Sequence, residues 1–395
     1  MKKVLFFSIA LCFVLFLCAC TGIHLTPGTD RQFLSVPEAF RWQDCVPGFL
    51  ETPWGEYQNV SDMEKDLVYF SPAGEHTFYV LCSKPDCTHN DENCSAYGGL
   101  AIGYFDETLY YIRLNSDCEY VISKMRMDGT AHSDIALLPT IENKISGVQE
   151  GGGEYYFHNG YLYMDCVDRI NESIPRSILF RIDVTTGETE RLFDSFFDAW
   201  RIASVSLIGD KVYIKVLNRA TADITPPAER ESICALAAGD MNTGEIGILF
   251  PSWPYFGGML PVEKDGVLYY HRPGVGYCEY DLSAKKERVR LSADLCVSQV
   301  SYGERYIFAR ELENDALSEN EWGSSYAPWK FSVYDYQYNV VASLPFEDYV
   351  LKPSFLFATD DCLYFSDRSD YRITHYADVN AIGTDAFSLI PVAAP

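Results

Sequence analysis

The sequence predicts an all-β protein, a β-propeller of about seven four-stranded blades. A polar or glycine turn followed by an apolar, aromatic strand recurs seven times, at intervals of 38 to 57 residues. A second hairpin follows most of these segments, so that one unit holds four strands. Four strands within such a period are typical of a propeller blade, which must stack on its neighbours to bury both faces.

The seven turn-and-strand segments define the repeat. They are residues 65–70, 106–111, 159–164, 209–214, 265–270, 303–308 and 360–365. Asn-Gly and Asp-Gly pairs at 159–160 and 265–266 accept the positive φ that tight hairpins require. Second hairpins are predicted at 177–193, 232–250, 277–291 and 330–344.

Other arrangements fit the same pattern. Six or eight blades are alternatives to seven, with residues 50–60 donating a strand to the last blade. A β-sandwich or an irregular β-solenoid would be a different fold for these strands. The repeat resembles the diverged TolB-like and quinoprotein-like propellers of envelope proteins, and it lacks the WD dipeptide of another propeller class.

The first twenty residues have the form of an export signal. Lys2 and Lys3 precede an apolar run that is shorter than the roughly 20 residues needed to span a bilayer. Residues 17–20, Leu-Cys-Ala-Cys, resemble the lipobox of bacterial lipoproteins. The resemblance implies cleavage before Cys20, lipidation of Cys20 and attachment to the extracytoplasmic face of the cell membrane. An ordinary secretory signal is the alternative.

The chain therefore divides into a signal peptide (1–19), a lipid-anchored tether (20–48) and the propeller domain (49–395). Removing the signal removes two lysines, leaving 29 basic against 56 acidic residues, a net charge of −27. This charge opposes nucleic acid as a partner, so membrane association is assigned to the lipid anchor.

Four metal-ligating side chains occur within thirteen residues of the first unit. Cys82, Cys87, His89 and Cys94 have the spacing C-x4-C-x-H-x4-C. Three thiolates and one imidazole are a familiar ligand set for structural zinc, and they leave no open position for a catalytic water. A local disulfide involving Cys94 is the alternative. The segment resembles one found in lipoproteins of Gram-positive anaerobes.

Several other cysteines of the mature chain lie inside apolar strand patterns, as Cys362 does, and are predicted to be small buried hydrophobic residues.

No catalytic motif accompanies these features. The sequence lacks the P-loop, the H-E-x-x-H zinc motif and the G-x-S-x-G nucleophile elbow. We therefore expect a monomeric binding or scaffolding module with a glycan, peptide or envelope-protein partner. An extracellular carbohydrate-active lyase or glycosidase is one alternative, and an accessory or sensor subunit of an envelope complex is another. Trp253 and the two tryptophans within 322–329 are interpreted either as a binding platform or as packing between blades.

Overall fold

The computed structural model describes residues 49–392, apart from 53, 62–65, 83, 92, 100, 118, 140–154, 169–175, 223–232, 255–259, 273–274, 293–296, 304, 313–328, 346–353, 360 and 367–372. These residues form seven antiparallel sheets of four consecutive strands each, arranged in a ring. The predicted all-β propeller is confirmed, with seven blades.

The strands of blades 1 to 4 are β1 Phe49–Thr52, β2 Gly55–Ser61, β3 Asp66–Pro72 and β4 Tyr79–Val80; β5 Ile102–Phe105, β6 Thr108–Leu114, β7 Tyr120–Arg126 and β8 Ser133–Leu137; β9 Tyr155–His158, β10 Tyr161–Asp168, β11 Arg176–Asp183 and β12 Thr189–Leu192; β13 Trp200–Ile208, β14 Lys211–Asn218, β15 Cys234–Asp240 and β16 Ile246–Phe250.

The strands of blades 5 to 7 are β17 Val262–Lys264, β18 Val267–Arg272, β19 Gly276–Asp281 and β20 Lys286–Leu291; β21 Val297–Tyr302, β22 Ile307–Leu312, β23 Trp329–Tyr334 and β24 Val340–Pro345; β25 Ser354–Ala358, β26 Cys362–Ser366, β27 His375–Asp378 and β28 Ile390–Pro391. Helical structure in the described residues is limited to α1 (Arg219–Ala222) and short 3₁₀ turns, including Phe196–Asp198 and Val379–Ala381. None of these helices is long and apolar enough to cross a membrane.

The hydrophobic core lies between blades. Seven clusters of buried side chains each join two consecutive blades, and one of them joins blade 7 to blade 1. Because strands of a blade present apolar side chains on both faces, each sheet is stable only when covered on both sides. Trp253 is 2% exposed and packs between blades 4 and 5, which favours packing for this residue.

The turn chemistry explains the register of the hairpins. The pairs at 159–160 and 265–266 have positive φ at both positions, as predicted. A second device ends the third strand of several blades, where an aspartate carboxylate accepts backbone N–H groups two and three residues later, as Asp240 does from Asn242 and Thr243. These local hydrogen bonds fix the turn into the outer strand.

One alternative for blade 1 was wrong. Residues 50–60 donate no strand to the last blade; they form β1 and β2 of blade 1, and blade 7 is built from its own β25–β28. The repeated segment at 65–70 lies in the third strand of its blade, β3, whereas the other six repeated segments lie in second strands. The pattern of a polar turn before an aromatic strand therefore marks a different strand in blade 1.

Blade 7 meets blade 1 through hydrogen bonds as well as apolar packing. The Tyr364 hydroxyl, on β26, donates to a carboxylate oxygen of Glu56 on β2. Nδ1 of His76, in the turn before β4, lies 2.9 Å from the same hydroxyl oxygen, and its ring stacks on Tyr376 at 4.3 Å. The side chain of Glu56 is 3% exposed. We call this set of contacts the closure interface.

Candidate metal centre

The four predicted metal ligands converge in the structure. One ligand atom from each of Cys82, Cys87, His89 and Cys94 lies within 4.8 Å of every other. Zn–S bonds of about 2.3 Å place tetrahedral sulfur ligands about 3.8 Å apart, so the spacing suits one such ion. The four residues can therefore hold a metal.

The ligand group occupies the edge of the core between blades 1 and 2. Cys94 is 2% exposed, whereas Cys82, Cys87 and His89 are half-buried. Nδ1 of His89 lies 3.3 Å from Sγ of Cys94, and His89 adopts a φ of 54°. A non-glycine residue with this φ is uncommon, although histidine is among the residue types that tolerate it.

Burial and hydrogen bonding shift the pKa values of Cys82 and Cys94 in opposite directions. Burial raises the pKa of Cys94 to about 12. Burial acts in the same direction on Cys82, but hydrogen bonds from the Lys84 backbone N–H and from neighbouring side chains, Cys87 first, lower its pKa overall. A bound cation stabilises the thiolate form of both cysteines, because its positive charge compensates for the hydration that a buried thiolate loses.

The backbone around the ligands is an insertion in the outer strand of blade 1. β4 pairs with β3 only through Tyr79 and Val80. The chain then leaves the sheet through the loop 82–94, here called the Cys/His loop. It returns at residues 96–98, the return segment, which pairs with the beginning of β3 through an antiparallel bridge between Leu67 and Tyr97. The outer strand of blade 1 thus consists of two halves.

The remaining cysteines of the described part have a different environment. Cys166, Cys234, Cys278 and Cys362 are at most 3% exposed and lie in strands of separate blades. They pack in three of the interblade clusters, as the prediction of small buried hydrophobic residues requires. Among the described residues, none of the seven cysteines forms a disulfide, including the three of the Cys/His loop. Cys20, the signal peptide and the tether lie outside the described residues.

Sequence reasoning missed two buried glutamates that join blades. Glu56 belongs to the closure interface described above. Glu311, on β22, is fully buried and accepts hydrogen bonds from the hydroxyls of Tyr277 (3.0 Å), Ser332 (2.6 Å) and Tyr334 (2.6 Å). These donors come from blades 5 and 6, and nothing local in the sequence indicates that they meet. Both carboxylates accept hydrogen bonds from hydroxyl groups that lie between packed blades.

Comparison with known proteins identifies the fold alone. No family model and no curated protein matches the sequence. A puromycin-hydrolyzing peptidase of Mycobacterium tuberculosis is 11% identical with a TM-score of 0.55, over 94% of this chain and 56% of the peptidase. Oligogalacturonate lyase from Vibrio parahaemolyticus is 10% identical with a TM-score of 0.48, over 85% of this chain and 83% of the lyase.

TolB from Acinetobacter baumannii is 14% identical with a TM-score of 0.35, over 60% of this chain and 51% of TolB. This chain spans little more than half the length of the peptidase and of TolB. At identities of this size, the shared property is the β-propeller.

Proposed function

We propose that this protein is a lipid-anchored, extracytoplasmic β-propeller that acts as a binding or scaffolding module, and that Cys82, Cys87, His89 and Cys94 hold one structural zinc ion in its first blade. The convergence of these four ligands at the edge of an interblade core carries the proposal. Four protein ligands fill a tetrahedral shell, so the ion has a structural role and no position for a reacting water.

A binding role fits the rest of the described molecule. The buried Glu56 and Glu311 accept hydrogen bonds from tyrosine and serine hydroxyls, and the apolar side chains of the core pack the blades together. Propellers commonly present their interblade loops to partners, and the partner here is a glycan, a peptide or another envelope protein. The net charge of −27 in the mature chain disfavours nucleic acid. Glycan arrays and pull-downs from envelope extracts, with polysaccharide turnover as the enzymatic alternative, test this part.

The proposal of a lipid anchor rests on the lipobox at residues 17–20. Replacing Cys20 with alanine should release the protein from membranes or leave an unprocessed precursor, because the acyl chains that hold it are attached to that sulfur. The measurement is membrane fractionation combined with the mass of the mature N-terminus. Cys45→Ala, in the predicted tether, is the matched control and should fractionate as wild type. If Cys20→Ala also remains at the membrane and is processed normally, the lipoprotein assignment is wrong.

Zinc binding is tested separately on protein purified under reducing conditions without added metal. We expect close to one zinc per chain by elemental analysis, lost in Cys87→Ser and in His89→Ala. Cys166→Ala, which alters a buried cysteine of blade 3, should retain the ion. Absence of metal, together with two of the three loop thiols that resist alkylation in protein purified without reductant and react once reductant is added, would instead establish a disulfide.

A further inference from the structure

We infer that the metal cross-links the two halves of the interrupted outer strand of blade 1, and so keeps the interface between blades 1 and 2 closed. This inference rests on the proposed zinc site and adds its structural consequence. Loss of the ion should loosen one defined part of the ring and leave the distant blades as they are.

The first step concerns strand register. Tyr79 pairs with Phe70 and Val80 with Tyr69, so the next position of the outer strand faces Val68. That position is shared by two residues. Leu81 donates its N–H to the Val68 carbonyl at 2.9 Å, and the Ala96 carbonyl accepts the N–H of Val68 at 2.8 Å.

The return segment then continues the same antiparallel register. Tyr97 faces Leu67, and the N–H of Gly98 donates to the Asp66 carbonyl at 2.9 Å. The whole Cys/His loop is therefore inserted at a single position of one strand.

The second step concerns where the ligands lie on this insertion. Cys82 directly follows Leu81, the last residue of the first half, and Cys94 precedes the return segment by two residues. A metal bound by both residues joins the two ends of the insertion. Without it, two very short strand pieces must each pair with β3 while connected by a long loop, and the entropy of that loop opposes their alignment. The Ser95 hydroxyl, which donates to the Leu81 carbonyl at 3.3 Å, is a weaker link across the same gap.

The third step connects the outer strand to blade 2. The Tyr111 hydroxyl, on β6, donates to the Ser95 carbonyl at 3.4 Å. On the first half, a Cβ placed on Gly129, in the turn after β7, would lie 2.8 Å from the Leu81 carbonyl oxygen. On the return segment, a Cβ placed on Gly98 would lie 3.3 Å from Cβ of Arg113. Both halves therefore touch blade 2, and their separation would disturb that interface.

Hydrogen–deuterium exchange of the full-length zinc-loaded protein, before and after removal of zinc with a chelator, tests the inference. We expect the amides of Val68, Leu81 and Gly98 to exchange at least about tenfold faster without zinc, because their strand pairing opens locally. Amides of β19, in blade 5, should be unchanged. The Cys87→Ser variant should behave like the chelated protein, and Cys166→Ala should behave like the zinc-loaded protein.

A deletion gives the converse test. Removing residues 82–96 joins Leu81 directly to Tyr97, so that Leu81 supplies both hydrogen bonds to Val68 in one continuous strand. The Val68 and Gly98 amides of this variant should be protected with or without chelator.

The outcomes separate the two proposals. If no zinc binds, the metal site is wrong and the inference falls with it. If zinc binds but its removal leaves these amides protected, or accelerates exchange equally in all seven blades, the site stands and the inference is overturned.

Discussion

Blade 1 lies between two interfaces that are held by different chemistry. Towards blade 2 it presents three thiols and an imidazole drawn from thirteen consecutive residues. Towards blade 7 it presents Glu56 and His76, which meet Tyr364 from the far end of the chain. The proposed metal at the first interface must come from the surroundings, whereas the contacts of the second are complete within the chain. If the proposal holds, coordination secures blade 1 on one side and hydrogen bonding on the other.

The largest expected effect concerns the interface that holds the proposed metal site. Cys87→Ser should abolish zinc binding and lower the free energy of unfolding by about 3 kcal/mol, the value typical of losing a cross-link around a loop of similar length. Cys87 is half-buried, so this change leaves no large cavity in the core. Denaturant unfolding with and without chelator measures the effect. Wild type treated with chelator should be as stable as the variant. A wild-type free energy of unfolding that is the same with and without chelator would contradict the prediction.

The second prediction compares the two interfaces by the same substitution. Tyr364→Phe removes a hydroxyl that donates to the buried Glu56 carboxylate and should cost about 1.5–3 kcal/mol, because hydrogen bonds to charged groups are the stronger class. Tyr111→Phe removes a hydroxyl that donates to the neutral Ser95 carbonyl at 3.4 Å, and should cost about 0.5 kcal/mol. Unfolding of both variants, with zinc present, checks the order. Equal losses of stability would contradict the prediction that the hydrogen bond at the closure interface is the stronger of the two.

The third prediction isolates the close approach of blade 2 to blade 1. Gly129 has a φ of 75°, so alanine there is strained by about 1–2 kcal/mol, and its Cβ would also meet the Leu81 carbonyl. Gly244, in the corresponding turn of blade 4, has a φ of 72°, and a Cβ added there would meet no described atom within 4 Å. Gly244→Ala therefore measures the strain alone. Thermal unfolding should show a larger loss for Gly129→Ala, and identical losses would exclude a close contact.

The smallest expected effect is on the stability of a turn in blade 4, away from both interfaces of blade 1. Backbone N–H groups of Thr243 and Asn242 lower the pKa of the Asp240 carboxyl below its ordinary value. Since the pKa is lower in the folded state, the carboxylate stabilises the fold at neutral pH, and this contribution is lost as the pH falls through the folded-state pKa. The same direction holds for the turn aspartates of blades 3, 5 and 6, which are Asp183, Asp281 and Asp335.

Asp240→Ala should therefore be slightly less stable than wild type at pH 7, with the difference shrinking as the pH falls below the ordinary aspartate pKa of about 3.9 and then through the folded-state pKa. Denaturant midpoints measured across this range test the expectation. Asp210→Ala is the control in the same blade, because Asp210 uses its backbone carbonyl, which accepts the Met241 N–H at 2.9 Å. A difference that persists unchanged into acid would show that the carboxylate charge is irrelevant to the turn.

The sequence predicts what is local. The seven blades could be inferred because hairpin turns and alternating strands are encoded within a few residues, and the metal ligands because they lie on one short loop. Glu56 and Tyr364 are 308 residues apart, and no property of either residue indicates the other. The interrupted outer strand was missed for a similar reason, since the return segment is recognised only by its pairing with β3. The local pattern at 65–70 also does not show which strand of the blade it marks, since it lies in the third strand of blade 1 and in the second strand of the other blades.

The closure interface has a further consequence for how the chain is ordered in space. Phe49, the first described residue, and Val392, the last, pack against the same hydrophobic cluster between blades 7 and 1. The described part of the chain thus enters and leaves the ring at the same gap between blades, which is one of seven. A circular permutant, joined across this gap by a short linker and opened between β12 and β13, would keep every blade whole and place its N-terminus, with the proposed lipid anchor, on the opposite side of the ring.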